Sequence, residues 1–427
     1  MPYRSYWADP PEDNRHFIQL PPFRIVFAGQ AMVDIFFVVS GYSVSIALIR
    51  ARNRDGVVAG DFYRRLTSAV FRRFFRLFIP VLVLVTLSHL LYFLNLYTWI
   101  FSAEWGFPGC IPFTSPWSHL KWYLSTIASF AYLQTNQNLT LNDHLWTIPV
   151  EMCGSLRVYL AVLGFAAVRP RLRPWLVALV GLRLLWLGNP EYTAFIAGLT
   201  YAELDDGNTS RTMSHGELPR VTRAAEEEEE ERMIRHTPPK TTTTTTTLRL
   251  RPLRRAITPA KWAMFAISIY LLCLPVENPF PADWAFQRHI RPPYWKDWEI
   301  AMRSWQTIGA VLFIGSVRQL PVLKRPFETR LAQTLGSVSF SLYLLHQTVY
   351  RTLLNRMLDW WSWVFLGDGY WEVGPELRGY VVGLVCVWIL SVAGLMAVLA
   401  VGTRYMTRAV DQRSVVLAHR IEEWCCR

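Results

Sequence analysis

The stretch Tyr380-Val-Val-Gly-Leu-Val-Cys-Val-Trp-Ile-Leu-Ser-Val-Ala-Gly-Leu-Met-Ala-Val-Leu-Ala-Val-Gly402 decides the fold. It holds 23 residues and no charge. As a helix it is about 34 Å long, enough to cross a hydrocarbon core of roughly 30 Å. A helix at the edge of a soluble core needs a polar face, and this one has none. A second block, Ile79 to Phe101, has the same character. Across all 427 residues, 52% are hydrophobic and only 18% are charged, which is too little charge for a soluble surface of that size. The chain therefore reads as an all-α polytopic membrane protein. Nine crossings are expected, near residues 26–49, 79–101, 145–168, 175–188, 191–203, 261–275, 303–317, 335–354 and 380–402.

Arginine placement orients these crossings. Arginines crowd residues 50–78, follow residue 168, recur in 318–334 and fill the tail after 402. By the positive-inside rule those segments are cytosolic, and the C-terminus with them. The net charge of +12 thus reads as a topology signal and not as a nucleic-acid footprint. Residues 119–133 are apolar too, but a crossing there would put Arg169, Arg171 and Arg173 outside. That stretch is expected to be re-entrant or interfacial. Asn138-Leu139-Thr140, a glycosylation sequon, falls on the outer side in this scheme.

The organisation follows from these assignments. Residues 1–22 form a luminal N-terminal segment, and 23–203 and 261–402 form the membrane domain. Residues 204–260 are a cytosolic insertion, and 403–427 a cytosolic tail. The insertion contains the acidic run Glu226–Glu231 and the threonine run Thr241–Thr247, a composition that builds no packed core. Nine crossings ending in the cytosol start outside, and the N-terminus carries no signal peptide. A further helix upstream is therefore expected. The six cysteines show no metal spacing, so no metal site is expected. Walker A, GxGxxG, HExxH and GxSxG patterns are absent from the sequence.

An ionisable side chain inside a crossing is a functional candidate because it is costly there. Six qualify: Asp34, His89, Glu151, Arg157, Arg183 and His346. Glu151 follows Pro149 near the outer end of its segment, where a carboxylate can act as a base, orient one or hold a hydroxyl. The other reading is a structural partner for an arginine. His346 shares a helix face with Ser339 and Tyr343, and its depth is close to that of Glu151. Histidine is the usual proton carrier near neutral pH. Asp34 either lines the same cavity or pairs with Arg157 or Arg183. For His89, Arg157 and Arg183 a structural role is expected. Arg72, Arg73 and Arg76, ahead of Pro80, suit the phosphates of a soluble cofactor, or else topology and lipid contact.

Three segments together resemble the acyltransferase 3 family of membrane acyltransferases, particularly its fungal members. They are Ala28–Tyr42 with Phe36-Phe-Val-Val-Ser-Gly-Tyr42, Leu145-Trp-Thr-Ile-Pro-Val-Glu151, and Val338-Ser-Phe-Ser-Leu-Tyr-Leu-Leu-His346. Phe195–Ala202 is similar to the family's short small-residue helix. The resemblance implies transfer of an acyl group, often acetyl from acetyl-CoA, to a hydroxyl of a glycan, lipid or small metabolite. It also implies ten crossings, and an arginine and a histidine in a first helix that nothing here matches. Read with the residues, it expects acyl-CoA at Arg72, Arg73 and Arg76, and catalysis by His346, Glu151 and Asp34. No cofactor is expected to be tightly bound. The expected partners are acyl-CoA, the hydroxyl acceptor and membrane lipids, in an endomembrane or the plasma membrane. A degenerate non-catalytic relative and a proton-coupled transporter stay open as alternatives.

Overall fold

Chains with long apolar blocks must satisfy their backbone hydrogen bonds internally, and the helix does this within one segment. The computed structural model describes residues 6–7, 10–55, 60–97, 115–134, 141–213, 258–275, 284, 286–287, 289–371 and 380–426. Among these described residues there is no strand. The main helices are α1 (Gly29–Asp55), α2 (Gly60–Phe93), α3 (Pro116–Ala131), α4 (Thr147–Gly164), α5 (Arg173–Trp186) and α6 (Pro190–Met213). They continue as α7 (Thr258–Leu272), α8 (Trp298–Gln319), α9 (Arg330–Leu366), α10 (Val381–Met406) and α11 (Gln412–Cys426).

Each of the nine expected crossings falls on one of these helices, and residues 119–133 fall on α3. Four helical stretches are long and apolar enough to cross a bilayer by length and composition: Gly29–Arg54, Phe62–Phe93, Trp298–Gln319 and Val381–Cys425. The count of nine is not reached by that measure. Helices α5 and α7, with 14 and 15 residues, are only about 21–23 Å long.

Several boundaries differ from the sequence reading. Helix α2 begins at Gly60 and ends at Phe93, so Arg72, Arg73 and Arg76 sit within a helix rather than in a loop before one. Arginine is a good helix former, and Phe62 and Leu66 bury an apolar face on this extension. Helix α6 runs ten residues past 203, to Met213. Its extension is tied down by Asp205, which pairs with Arg318, whose guanidinium lies 4.4 Å from the Tyr201 ring centre. The rest of the insertion through residue 257, and the sequon, lie outside the described residues.

The described chain divides into two units, Met1–Tyr42 with Val168–Leu320, and Ser43–Ala167 with Pro321–Arg427. In the first, the early part of α1 meets α6 backbone to backbone. A Cβ on Gly41 would overlap the Phe195 carbonyl, and one on Gly198 would overlap the Val38 carbonyl and stand 2.5 Å from the Tyr42 nitrogen. Helices in hydrocarbon gain little from the hydrophobic effect against each other, so such close approach does the packing. Helices α5 and α6 turn at Gly188, whose φ of +75° favours glycine. The Trp295 indole donates to the Leu185 carbonyl at 2.7 Å.

In the second unit, α9 and α10 pack side by side, and the core gathers Val81, Leu84, Leu145, Ile148, Leu344 and Leu399 from α2, α4, α9, α10 and the turn before α4. Pro149 falls in the first turn of α4, where its missing N–H costs nothing. Helix α9 starts at an N-cap, with Thr329 accepting from the Ala332 N–H, and ends at Gly367 with φ +78°.

Candidate active site

A polar column runs through the second unit between α2, α4 and α9. At one end, Ser88 on α2 reaches Thr348 on α9 at 2.9 Å, and each hydroxyl stands 3.2 Å from the Asn142 side-chain oxygen, so the two hydroxyl hydrogens serve two of the three contacts at a time. Next to them, in the turn before α4, Asp143 accepts from Arg351 at 2.6 Å and from Gln347 at 3.5 Å. Arg351 is 2% exposed, so this pair is shielded from water on the arginine side. Burial raises the Asp143 carboxyl above its ordinary range, against the pull of Arg351 and Gln347.

His144 follows. Its Nδ1 meets the Gln347 Oε1, and its Nε2 stands 3.2 Å from the Leu344 carbonyl. Burial pushes this ring down to about 3, helped by His346 and Arg351 and opposed by the Gln347 and Leu344 contacts. His144 is therefore neutral in the resting protein. Its ring packs edge-on against His346, with centres 4.7 Å apart.

His346 is held in a different way. Its Nδ1 lies 2.6 Å from the Tyr343 carbonyl, an acceptor, so Nδ1 carries the ring proton. The Leu342 carbonyl also acts on the ring, and among the described residues no contact at Nε2 has hydrogen-bond geometry. A neutral imidazole with Nδ1–H engaged presents a bare Nε2 lone pair, which is the form of a general base. Tyr343 is fixed in turn: its hydroxyl bonds Thr147 Oγ1 at 2.6 Å and donates to the His144 carbonyl.

Below Tyr343 lies Glu151, 6% exposed, and its charge acts on the Tyr343 hydroxyl. Glu151 accepts from Arg73 at 2.6 Å, and the Arg73 Nε donates to Ser155 at the same distance. Ser155 closes the group by donating to the Glu151 carbonyl at 2.7 Å. The sequence reading had placed Glu151 in the catalytic set and Arg73 at the cofactor phosphates. The structure brings the two together as an ion pair, because α2 extends further than the apolar block indicated.

The other candidates are distributed as follows. Arg72 lies against His419 and Glu422 on α11, and Arg76 is exposed on α2. Asp34 is 4% exposed in the first unit, where Glu191 and Arg303 act on its charge, rather than Arg157 or Arg183. Arg303 bridges Glu191 at 2.8 Å and Glu299 at 2.5 Å. Arg157 and Arg183 are exposed on their helices. Ser339, expected on the His346 face, is exposed and turned back to the Gly336 carbonyl. His89 sits among His119, Trp122 and Tyr123, with ring centres 4.5–5.3 Å away. Sequence reasoning missed His144, Asp143, Gln347 and Arg351. The signal available was the i, i+1, i+5 spacing of His346, Gln347 and Arg351, which puts polar groups on neighbouring turns of one helix.

No group of histidine, cysteine and acidic side chains among the described residues has the makings of a metal site. The described chain is all-helical, with four helices long and apolar enough to cross a membrane and a buried run of polar side chains among its helices, which is the class of a helical membrane protein. A sequence model of the acyltransferase domain Acyl_transf_3 matches residues 5–400, and the chain belongs to this acyltransferase 3 family. It is an acyltransferase. It is 22% identical to acyltransferase R4 of Phoma sp. over 424 residues, covering 94% of this chain and 83% of the relative. Acyltransferase clz18 of Cochliobolus lunatus is 21% identical over the same shares. O-acetyltransferase PaAT-1 of Phomopsis amygdali is 29% identical over 181 residues, 38% of this chain and 35% of that one. No solved structure matches.

Proposed function

We propose that the protein transfers an acyl group, most simply acetyl, from acyl-CoA to a hydroxyl of a glycan, lipid or small metabolite within the membrane. The bare Nε2 of His346 carries this reading. Nε2 takes the proton of the acceptor hydroxyl as its oxygen attacks the thioester carbonyl. The carbon–sulfur bond breaks, and the departing thiolate takes that proton back from the imidazolium. Tyr343 fixes the His346 tautomer through its carbonyl. The edge-on ring of His144 limits the rotation of His346. Glu151 acts through Arg73 and Tyr343, holding the floor of the site. We assign no step to Asp34, which belongs to the first unit while His346 and Glu151 belong to the second.

In this reading the arginine-rich ends of the helices face the cytosol, nine helices cross the bilayer and the C-terminus is cytosolic. Acyl-CoA approaches from that side. Arg73 is engaged with Glu151, so Arg72 and Arg76 are the guanidiniums left for phosphate. The O-acetyltransferase named among the relatives supports acetyl and an oxygen acceptor.

The test is transfer from labelled acetyl-CoA by purified full-length protein to a panel of hydroxyl acceptors. His346→Asn is expected to lower kcat by about two to four orders of magnitude with little change in KM. Undiminished transfer by that variant would remove His346 from the site. Transfer by the wild type from another acyl donor, but never from acetyl-CoA, would replace the donor.

A further inference from the structure

Helices α2 and α10–α11 are longer than a membrane requires. Val381–Cys425 runs as one helical stretch of 45 residues, about 67 Å, while about 20 residues suffice to cross. Its last part, α11, lies beyond residue 400, where the family match stops. Ala418 and Ser414, 0% and 2% exposed, seat α11 against the arginine-bearing half of α2. The two residues are four apart, so they form one seam along the helix.

Beside that seam, Arg72 takes part in an arrangement that the proton transfer at His346 does not use. The Nη1 of Arg72 lies 3.1 Å from the His419 Nε2. Arginine has no acceptor, so it donates, and the remaining ring proton of His419 is on Nδ1. The Glu422 carboxylate lies between the two, 3.7 Å from the Arg72 Nε and 4.0 Å from the His419 Nδ1. Arg72 Nε also reaches the Ser68 carbonyl at 3.4 Å. A guanidinium and an imidazole N–H thus converge on one anionic group, held at ion-pair distance without a hydrogen bond. That is loose engagement for a pair that prefers about 2.7–2.9 Å, and it leaves the guanidinium able to take a better acceptor.

We propose that Arg72 and His419 form a phosphate-binding site in which Glu422 is the resting occupant, displaced when a phosphate group arrives. A phosphate offers three acceptor oxygens where the carboxylate offers two, and arginine suits it with a paired donor face. Its source is either the acyl-CoA of the reading above or the headgroup of an acidic lipid. The site rests on that reading only for the first source. Displacement frees the end of α11 but leaves the Ser414–Ala418 seam in place.

The experiment is a titration of purified full-length protein in neutral detergent, followed by tryptophan fluorescence, with acetyl-CoA in one arm and a short-chain phosphatidic acid in the other. Glu422→Gln removes the competing charge and is expected to tighten binding about two- to fivefold. Arg72→Gln is expected to weaken it on the order of tenfold. This pattern with acetyl-CoA supports the site with the donor as its source. The same pattern with phosphatidic acid alone supports the site and overturns the placement of the donor there. Affinities for both ligands that ignore both substitutions overturn the proposal.

Discussion

Replacing Glu151 by glutamine separates a structural carboxylate from one that acts on substrate. The side chain keeps its shape, but Arg73 loses its counter-charge. The two groups are 2.6 Å apart, with side chains 17% and 7% exposed. At an effective dielectric of about 20 their attraction is about 6 kcal/mol, most of it offset by the desolvation of both groups. What remains after removal of one partner is an uncompensated buried guanidinium, which costs about 3–5 kcal/mol. The amide oxygen still accepts from Arg73, so the expected loss is at the lower end, about 3 kcal/mol. For a unit of the second unit's size this is a fall in Tm of roughly 6–12 °C. Tryptophan fluorescence melts of the purified protein measure it. A cycle with Arg73→Met adds a second check: the double variant should lose clearly less than the sum of the singles. If Glu151→Gln melts within about 1 °C of the wild type while transfer is abolished, the ion pair is not what Glu151 is for. The carboxylate would then belong to the reaction.

Tyr343→Phe removes a hydroxyl that serves both Thr147 and the His144 carbonyl, and is expected to cost about 1–2 kcal/mol in a thermal melt and to slow transfer. Gly41→Ala and Gly198→Ala each push a methyl into a backbone carbonyl that cannot swing aside, and should destabilise by about 3 kcal/mol, seen as a lower Tm and yield. His144 has a depressed pKa when folded, so the stability it gives is complete above the ordinary value of 6.5 and drains away as pH falls toward about 3. Melts across that range should therefore show a shallower acid decline for His144→Gln than for the wild type.

The fold was legible where one kind of residue dominates a long stretch. Tyr380–Gly402 reads as a helix because nothing else satisfies its backbone in hydrocarbon, and α10 occupies that stretch. Pro149, which suits a helix start or a kink, lies in the first turn of α4. Reading failed where charge and helix coincide. Arg72, Arg73 and Arg76 look like a loop on a hydropathy profile, yet arginine favours helix and its stem packs against apolar neighbours. The second helix was thus placed nineteen residues late, and α6 was cut ten residues short at its acidic end.

The candidate site divides along the same line. His346 stood out because an ionisable ring inside an apolar helix is costly, whether it serves catalysis or packing between helices. Its partner His144 did not, because it lies one residue before an apolar block, in a polar turn where a histidine draws no notice. Only the pairing of that turn with α9 gives His144 a place, through Gln347 and the Asp143–Arg351 pair. Glu151 shows the limit from the other side. Its carboxylate chemistry is legible in the chain, but whether it faces a substrate or an arginine depends on where α2 begins. That boundary moved by about five turns, and an expected phosphate ligand became the counter-ion of an expected catalyst. Whether Arg73 and Glu151 meet therefore turns on helix register more than on residue identity: the same Arg73, one or two turns away along α2, would leave Glu151 in need of another partner.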